Sequence, residues 1–329
     1  MDDRPIIAIT MGDAGGIGPE IIVKALIRPE VEASCRALVV GSAPVMEQAA
    51  ELVGASLSVH RVGSVEPAHF QPRSLVVMDL DNVDVSQVVF GKPSAITGRA
   101  AFECVAKAVE LASTGAVQAI ATAPLSKEGL HLAGCRYAGH TEILAELTNT
   151  RDYCMLLVSR DLRVAHVSTH VSLRRACDLV TRERVSRVIN LTEQALRRMG
   201  IAEPRLAVAG LNPHAGEGGL FGDEEQREIA PAVREAVAAG LRVRGPLPPD
   251  SVYFRAQRGE FDGVIAMYHD QGHIALKVTG FDQGVNVSLG MPVLRTSVDH
   301  GTAYGKAGKG TANPQSMIEA ILLAARMAG

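Results

Sequence analysis

Short apolar runs alternate along this chain with longer stretches in which apolar positions recur every third or fourth residue. Ile6 to Thr10, Ala37 to Val40, Ser74 to Leu80 and Val117 to Ala121 read as strands. Pro19 to Ile27 reads as a helix with proline at its first position. Thr97 to Ser113 predicts a long helix, with Ala101, Val105, Ala108 and Ala112 on one face. Further on, Tyr153 to Val158 and Leu162 to Val167 predict adjacent strands, Arg182 to Met199 a helix, and Arg205 to Leu211 a strand. A helix from about Glu224 to Ala239, a strand at Val264 to Met267, an apolar run from Gly284 to Val298 and an amphipathic helix from Pro314 to Met327 follow. This alternation predicts α/β layering. No repeat, low-complexity tract or linker divides the chain.

Three of these runs lead into histidines, the last two with glycines close by: Ser168-Thr169-His170, Asn212-Pro213-His214-Ala215-Gly216-Glu217-Gly218-Gly219 and Met267-Tyr268-His269-Asp270-Gln271-Gly272. Side chains at the ends of parallel strands meet along one sheet edge. Three neutral imidazoles there could hold a divalent cation with positions left open for substrate. The gaps (214 − 170 = 44 and 269 − 214 = 55) match no short-range zinc pattern, so three unrelated loop histidines stand as the alternative. His166 and His273 each lie four residues from one of the three. On a helix such pairs would face one ion, whereas on an extended strand they sit ~13 Å apart. His166 is therefore read as a packed residue and His273 as a cleft-wall residue. His60, His69 and His131 read as surface positions.

At 329 residues, 47% hydrophobic and 21% charged, the chain can bury a large core and is not disordered. A net charge of −3 offers no broad footprint for nucleic acid or an anionic membrane, so an anionic substrate needs a local cluster. His140 and Thr141 in Gly-His-Thr-Glu, Lys277, Asn286 and Arg295 could form one. The five cysteines are scattered without a C-x-x-C pair, and no signal peptide or transmembrane run is seen. A cytoplasmic protein is the expectation.

Two glycine-rich loops remain. Met11-Gly12-Asp13-Ala14-Gly15-Gly16-Ile17-Gly18-Pro19-Glu20 follows a strand and opens a helix, yet contains no G-x-G-x-x-G. A nicotinamide cofactor would have to bind by a non-Rossmann route. The second loop, Asp299 to Pro314, has the glycine density to bring backbone N–H groups near an anion. Its H-G-T-A … A-G-K-G-T-A-N-P string resembles the cofactor loop of isopropylmalate and isocitrate dehydrogenases, which bind the adenine end of NAD there. That likeness implies cofactor contacts at His300, Gly301, Thr302, Gly308, Gly310 and Asn313.

Together with A-T-A-P-L-S-K, G-H-T-E, S-T-H, N-P-H-A-G-E-G-G, P-L-P-P-D, A-M-Y-H-D-Q-G-H, G-V-N and R-T-S-V-D-H-G-T-A, these motifs resemble the 4-hydroxythreonine-4-phosphate dehydrogenase family over essentially the whole length. Within it the chain looks nearest to the branch acting on 4-phospho-D-threonate and 4-phospho-D-erythronate. It departs from the family at Ala14-Gly15, where Pro-Ala is usual, and this should loosen the first loop.

The resemblance implies a two-lobed α/β/α fold like that of isopropylmalate and isocitrate dehydrogenases. The expected lobes are 1–130 with 285–329 on the cofactor side, and 131–284 on the metal and dimer side. It further implies a homodimer whose site, in the cleft between lobes, draws on both subunits. One divalent cation (zinc, cobalt, manganese, nickel or magnesium) would be held by His170, His214 and His269. His140, Thr141, Lys277, Asn286 and Arg295 would bind a phosphorylated hydroxy acid, and NAD would accept hydride. Lys277 is the preferred proton carrier, with Asp250 of P-L-P-P-D its rival. Competing readings are the biosynthetic dehydrogenase of pyridoxal phosphate formation, a dehydrogenase of a cyclic dihydrodiol carboxylate, a metal-dependent hydrolase or aldolase, and a non-enzymatic binding module.

Overall fold

The computed structural model describes every residue except Met1, Pro67, His69, Phe281 and Asp282, so the surface reading of His69 lies outside the described residues. Its strands are β1 Ile6–Thr10, β2 Arg36–Gly41, β3 Ser58–Val62, β4 Ser74–Asp79, β5 Ala119–Thr122, β6 Cys154–Ser159, β7 Leu162–His166, β8 Arg205–Ala209, β9 Arg242–Leu247, β10 Gly263–Ala266, β11 Val285–Leu289 and β12 Arg295–Val298. They fall into two compact units, Met1–Arg151 with Met291–Gly329, and Asp152–Gly290.

In the first unit the strand order is β3-β4-β2-β1-β5-β12, and every pair is parallel. β1 and β5 are buried along their whole length. That burial on both faces is why they read as unbroken apolar runs instead of alternating ones. The chain winds outward from β1 through β2, then returns along the helix Ala95–Ser113 to β5 on the other side. The order thus reverses between β1 and β5, where such sheets open a crevice at the strand ends. Segment 131–151, expected in the central lobe, belongs to this unit, because the helix His140–Leu147 packs against Ala95–Ser113.

The second unit has the order β11-β6-β7-β10-β8-β9. β11, β6 and β7 are antiparallel neighbours, and β7, β10, β8 and β9 run parallel. The apolar run expected from Gly284 to Val298 is two strands, β11 and β12, one in each unit. The turn at Gly290, with φ +89°, breaks it.

Candidate active site

Strands β7, β10 and β8 lie side by side and parallel, so the segments carrying His170, His269 and His214 all leave from one sheet edge. The segment after β10 is not extended. It forms the helix His269–Gly280, on which His269, His273 and Lys277 recur at four-residue steps along one face. Gln271 locks the turn into it: its Oε1 accepts from Met267 N at 2.7 Å, and its Nε2 donates to the Gly210 carbonyl beyond β8 at 2.8 Å.

The rings of His269 and His273 stack with centroids 3.6 Å apart. His273 meets His166 at 4.8 Å, and His269 meets His170 at 5.6 Å. Four imidazoles thus form a row from the buried His166 to the exposed His170. Two imidazoles bound to one cation at about 2.1 Å in tetrahedral array have centroids about 5–6 Å apart. The spacing of His170 and His269 fits a shared cation. Asp270 Oδ1 engages His269 Nδ1 at 2.6 Å, which leaves Nε2 as the nitrogen for a ligand. His214 is not brought to this pair. Its ring lies against Phe221 at 6.4 Å, and among the described residues no three His, Cys, Asp or Glu side chains of the chain are grouped to hold a metal.

His166 is packed, as its place in β7 led us to expect. Burial, reinforced by the neighbouring His273, pushes its pKa down to about 3, and its Nε2 has no partner among the described residues. Gly272 of the facing helix makes room for it, since a Cβ there would sit 2.4 Å from that nitrogen. Gly272→Ala should therefore destabilise the fold by about 1–3 kcal/mol, read as a lower melting temperature. The unfolded imidazole titrates near 6.5 and the folded one near 3. Between these values the unfolded chain binds the extra proton, so stability falls as pH drops through this window, by up to about 1.4 kcal/mol per unit. Urea titrations at several pH values should show this slope, and His166→Phe should flatten it.

The His214 segment is held in an unusual backbone. His214, Ala215, Gly216, Glu217 and Gly218 all have positive φ, at 53°, 57°, 78°, 45° and 67°. Left-handed geometry costs a residue with a Cβ about 1–2 kcal/mol, so this turn must be imposed by its surroundings. Glu225, 3% exposed, imposes it. Its Oε1 accepts from Leu211 N at 2.8 Å and Asn212 N at 2.7 Å, and its Oε2 accepts from Asn212 Nδ2 at 3.0 Å. Gly216 must lack a side chain because a Cβ would approach Glu225 Oε2 to 2.7 Å. Sequence reasoning missed Glu225. Its one signal is a carboxylate four residues before Ile229, on the stripe continued by Ala232, Val233 and Ala236.

The first unit carries a second cluster. Arg295 opens β12 at 2% exposure and donates to Thr122 Oγ1 at the end of β5, from Nη2 at 2.6 Å and Nε at 3.1 Å. Burial pulls its pKa down to about 9, against the opposing pull of Glu142, so it keeps its charge at neutral pH. His140 begins the helix His140–Leu147, directly before Thr141. Burial first, and the Arg295 charge second, hold its pKa well below the usual value, and Nε2 has no partner among the described residues. A buried guanidinium, a neutral imidazole and a helix N-terminus together suit an anion.

Asn286 lies on β11 with Oδ1 buried and unpartnered among the described residues. Asp250 is exposed in the first turn of the helix Pro249–Gln257, not in a free turn, where its charge complements the helix dipole.

The two glycine-rich loops of the first unit form one structure. Tyr304 donates to Asp13 Oδ2 at 2.9 Å, Ile17 N to the Thr302 carbonyl at 3.1 Å, and Gly308 N to Glu20 Oε1 at 2.6 Å. Burial raises the pKa of Asp13. Gly12 has φ +74°, and a Cβ there would meet the Pro124 carbonyl at 2.4 Å. At the departure from the family pattern, Gly15 N donates to Asp13 Oδ1 at 2.8 Å and the Gly15 carbonyl accepts from Gly91 N at 2.9 Å. Gly301, Lys309, Thr311 and Asn313 are exposed, and His300, Thr302, Gly308 and Gly310 are half-buried. His300 Nδ1 lies 3.0 Å from the Gly301 carbonyl.

An α/β chain with these two clusters is an oxidoreductase by its relatives, which are named dehydrogenases. The chain belongs to the family described as pyridoxal phosphate biosynthetic protein PdxA, which matches residues 33–324. It is 49% identical over 328 residues to the D-threonate 4-phosphate dehydrogenase of Cupriavidus necator, covering 99% of this chain and 98% of that one. Among solved structures it is similar to the 4-hydroxythreonine-4-phosphate dehydrogenase of Klebsiella pneumoniae, with 47% identity, a TM-score of 0.90, and 99% and 100% of the two chains covered. A terephthalate 1,2-cis-dihydrodiol dehydrogenase from Burkholderia xenovorans follows at 31% identity and TM-score 0.72, with 98% of each chain covered. No helix among the described residues is long and apolar enough to cross a membrane.

Proposed function

We propose that this chain is a cytoplasmic, NAD-dependent and divalent-metal-dependent dehydrogenase that oxidises the 3-hydroxyl of 4-phospho-D-threonate or 4-phospho-D-erythronate. The resulting 3-keto acid loses carbon dioxide from the carbon next to the ketone and leaves dihydroxyacetone phosphate. The observation that carries the reading is the His170–His269 pair, spaced for one cation and oriented by Asp270. The full-length relative from Cupriavidus necator supports the choice of substrate.

When bound, the cation would polarise the substrate hydroxyl and the nicotinamide would accept its hydride. His170, His214 and His269 would hold the cation, and Lys277 Nζ would take the hydroxyl proton, with Asp250 as the rival base. Arg295, His140 and Thr141 would bind an anionic group of the substrate, and Asn286 would add a polar contact. His300, Gly301, Thr302, Gly308, Gly310 and Asn313 would line the cofactor loop. The protein would act as a homodimer. Val171 (44% exposed), Leu220 (73%), Ile274 (62%) and Val278 (82%) flank the histidine segments, and a second copy would cover these apolar side chains while completing the imidazole set.

A second reading, oxidation of 4-phosphohydroxythreonine, is favoured by the name of the Klebsiella pneumoniae structure. NAD reduction measured side by side with phosphothreonate, phosphoerythronate and phosphohydroxythreonine separates the two. A metal-dependent hydrolase or aldolase would instead turn over without NAD. Absence of NAD reduction with all three acids, in cation-loaded protein, would defeat both dehydrogenase readings.

A further inference from the structure

We propose that Lys24 is a positioning residue for the cofactor: it turns the main-chain N–H groups of Thr311 and Asn313 outward as a paired donor for the adenine end of a dinucleotide. The inference rests on the NAD reading above and assigns a task to a side chain outside both glycine-rich strings.

Lys24 stands in the last turn of the helix Gly18–Leu26. Its Nζ donates to the carbonyl oxygens of Gly310 at 2.6 Å and Ala312 at 2.8 Å. In a trans peptide the carbonyl and the following N–H point in opposite directions. Two carbonyls drawn onto the ammonium therefore aim the next two amides, those of Thr311 and Asn313, away from it. Both residues are exposed, and neither N–H donates to any group among the described residues.

The remaining contacts keep this short stretch from swinging. Gly308 N is tied to Glu20, one turn before Lys24 on the same helix, and Asn313 Oδ1 accepts from Gln315 N at 3.0 Å at the start of the closing helix. Glu20 and Lys24 stand four residues apart, a spacing that ordinarily makes a solvent-facing ion pair. Here each reaches a different point of the same loop. The arrangement is a donor edge prepared before the ligand arrives, which lowers the ordering cost of binding.

The test is calorimetric titration of the purified, cation-loaded protein with ADP-ribose, which carries the adenine end and lacks nicotinamide. Lys24→Met is expected to weaken binding about tenfold or more, in line with the loss of one or two well-aimed hydrogen bonds. KM for NAD should rise in parallel, while kcat and KM for the phosphorylated acid stay within about twofold. Lys24→Arg, which keeps a cation on the two carbonyls, should recover most of the affinity. Equal ADP-ribose affinity in wild type and Lys24→Met overturns the inference alone, whereas a wild type that binds neither ADP-ribose nor NAD overturns the NAD reading and the inference with it. Should Lys24→Met fold poorly, amide hydrogen exchange on the wild type decides. ADP-ribose is expected to protect the Thr311 and Asn313 amides, and unchanged exchange there rejects the proposal.

Discussion

His214→Ala and His269→Ala are each expected to abolish turnover, by roughly three orders of magnitude or more, and to lose bound metal with it. Mixed in equal amounts, the two inactive proteins should recover about a quarter of wild-type activity, provided that protomers exchange. The reason lies in the geometry. His170 and His269 approach each other within one chain, and His214 does not join them. If His214 comes from the second copy, a mixed dimer contains one site with all three imidazoles intact and one with two missing. Half of the randomly paired dimers are mixed, and half of their sites work. Metal analysis of the mixture should rise in step with rate. A site built within one chain predicts no recovery at all, and a function that needs no metal predicts that each single variant keeps its activity when its metal is gone. His214 sits at φ 53°, so Asn, which tolerates this region better than Ala, makes a useful second substitution.

Arg295→Met is expected to weaken binding of the phosphorylated acid by at least about a hundredfold, the usual scale for removing one partner of a desolvated charge contact. Arg295 is nearly inaccessible, its guanidinium is braced on Thr122 Oγ1, and the ring beside it is held neutral, so an incoming anion meets a desolvated, oriented cation. Lysine should rescue poorly, because a point ammonium cannot keep both the Thr122 contact and a bidentate grip on an anion. Direct titration with phosphothreonate checks this, with ADP-ribose affinity as the control. A change below about threefold would assign Arg295 to stability alone.

Much of this fold could be read from the chain, because central parallel strands announce themselves as unbroken apolar runs. β1, β5, β8 and β10 all appear where such runs predict them, and β7 appears although Arg163 and His166 interrupt its run. β3 and β9 were not foreseen, and both lie at the ends of the strand order. An edge strand has one open side and carries polar residues, as in Ser-Val-His-Arg-Val, or a proline, as in Arg-Val-Arg-Gly-Pro-Leu. The helix after β10 was hidden by Gly272, a poor helix former whose place is set by a distant imidazole.

The candidate site was legible as a set of residues but not as an arrangement. Strings such as Asn-Pro-His-Ala-Gly-Glu-Gly-Gly mark chemistry, whereas the order β7-β10-β8 that gathers the histidine segments skips across the chain and leaves no local trace. Groups that act through the backbone were hardest to see. Glu20 and Lys24 look like a surface pair, and Glu225 lies in a run of charged residues. Only their partners distinguish them.

The turn at His214 limits what can be borrowed from this protein. Its five residues bend against the handedness natural to L-amino acids, and an isolated peptide of the same sequence would relax to something else. Anyone transplanting the octapeptide into another scaffold should carry a buried acid with it, since the direction of the imidazole is on loan from a carboxylate eleven positions downstream (225 − 214).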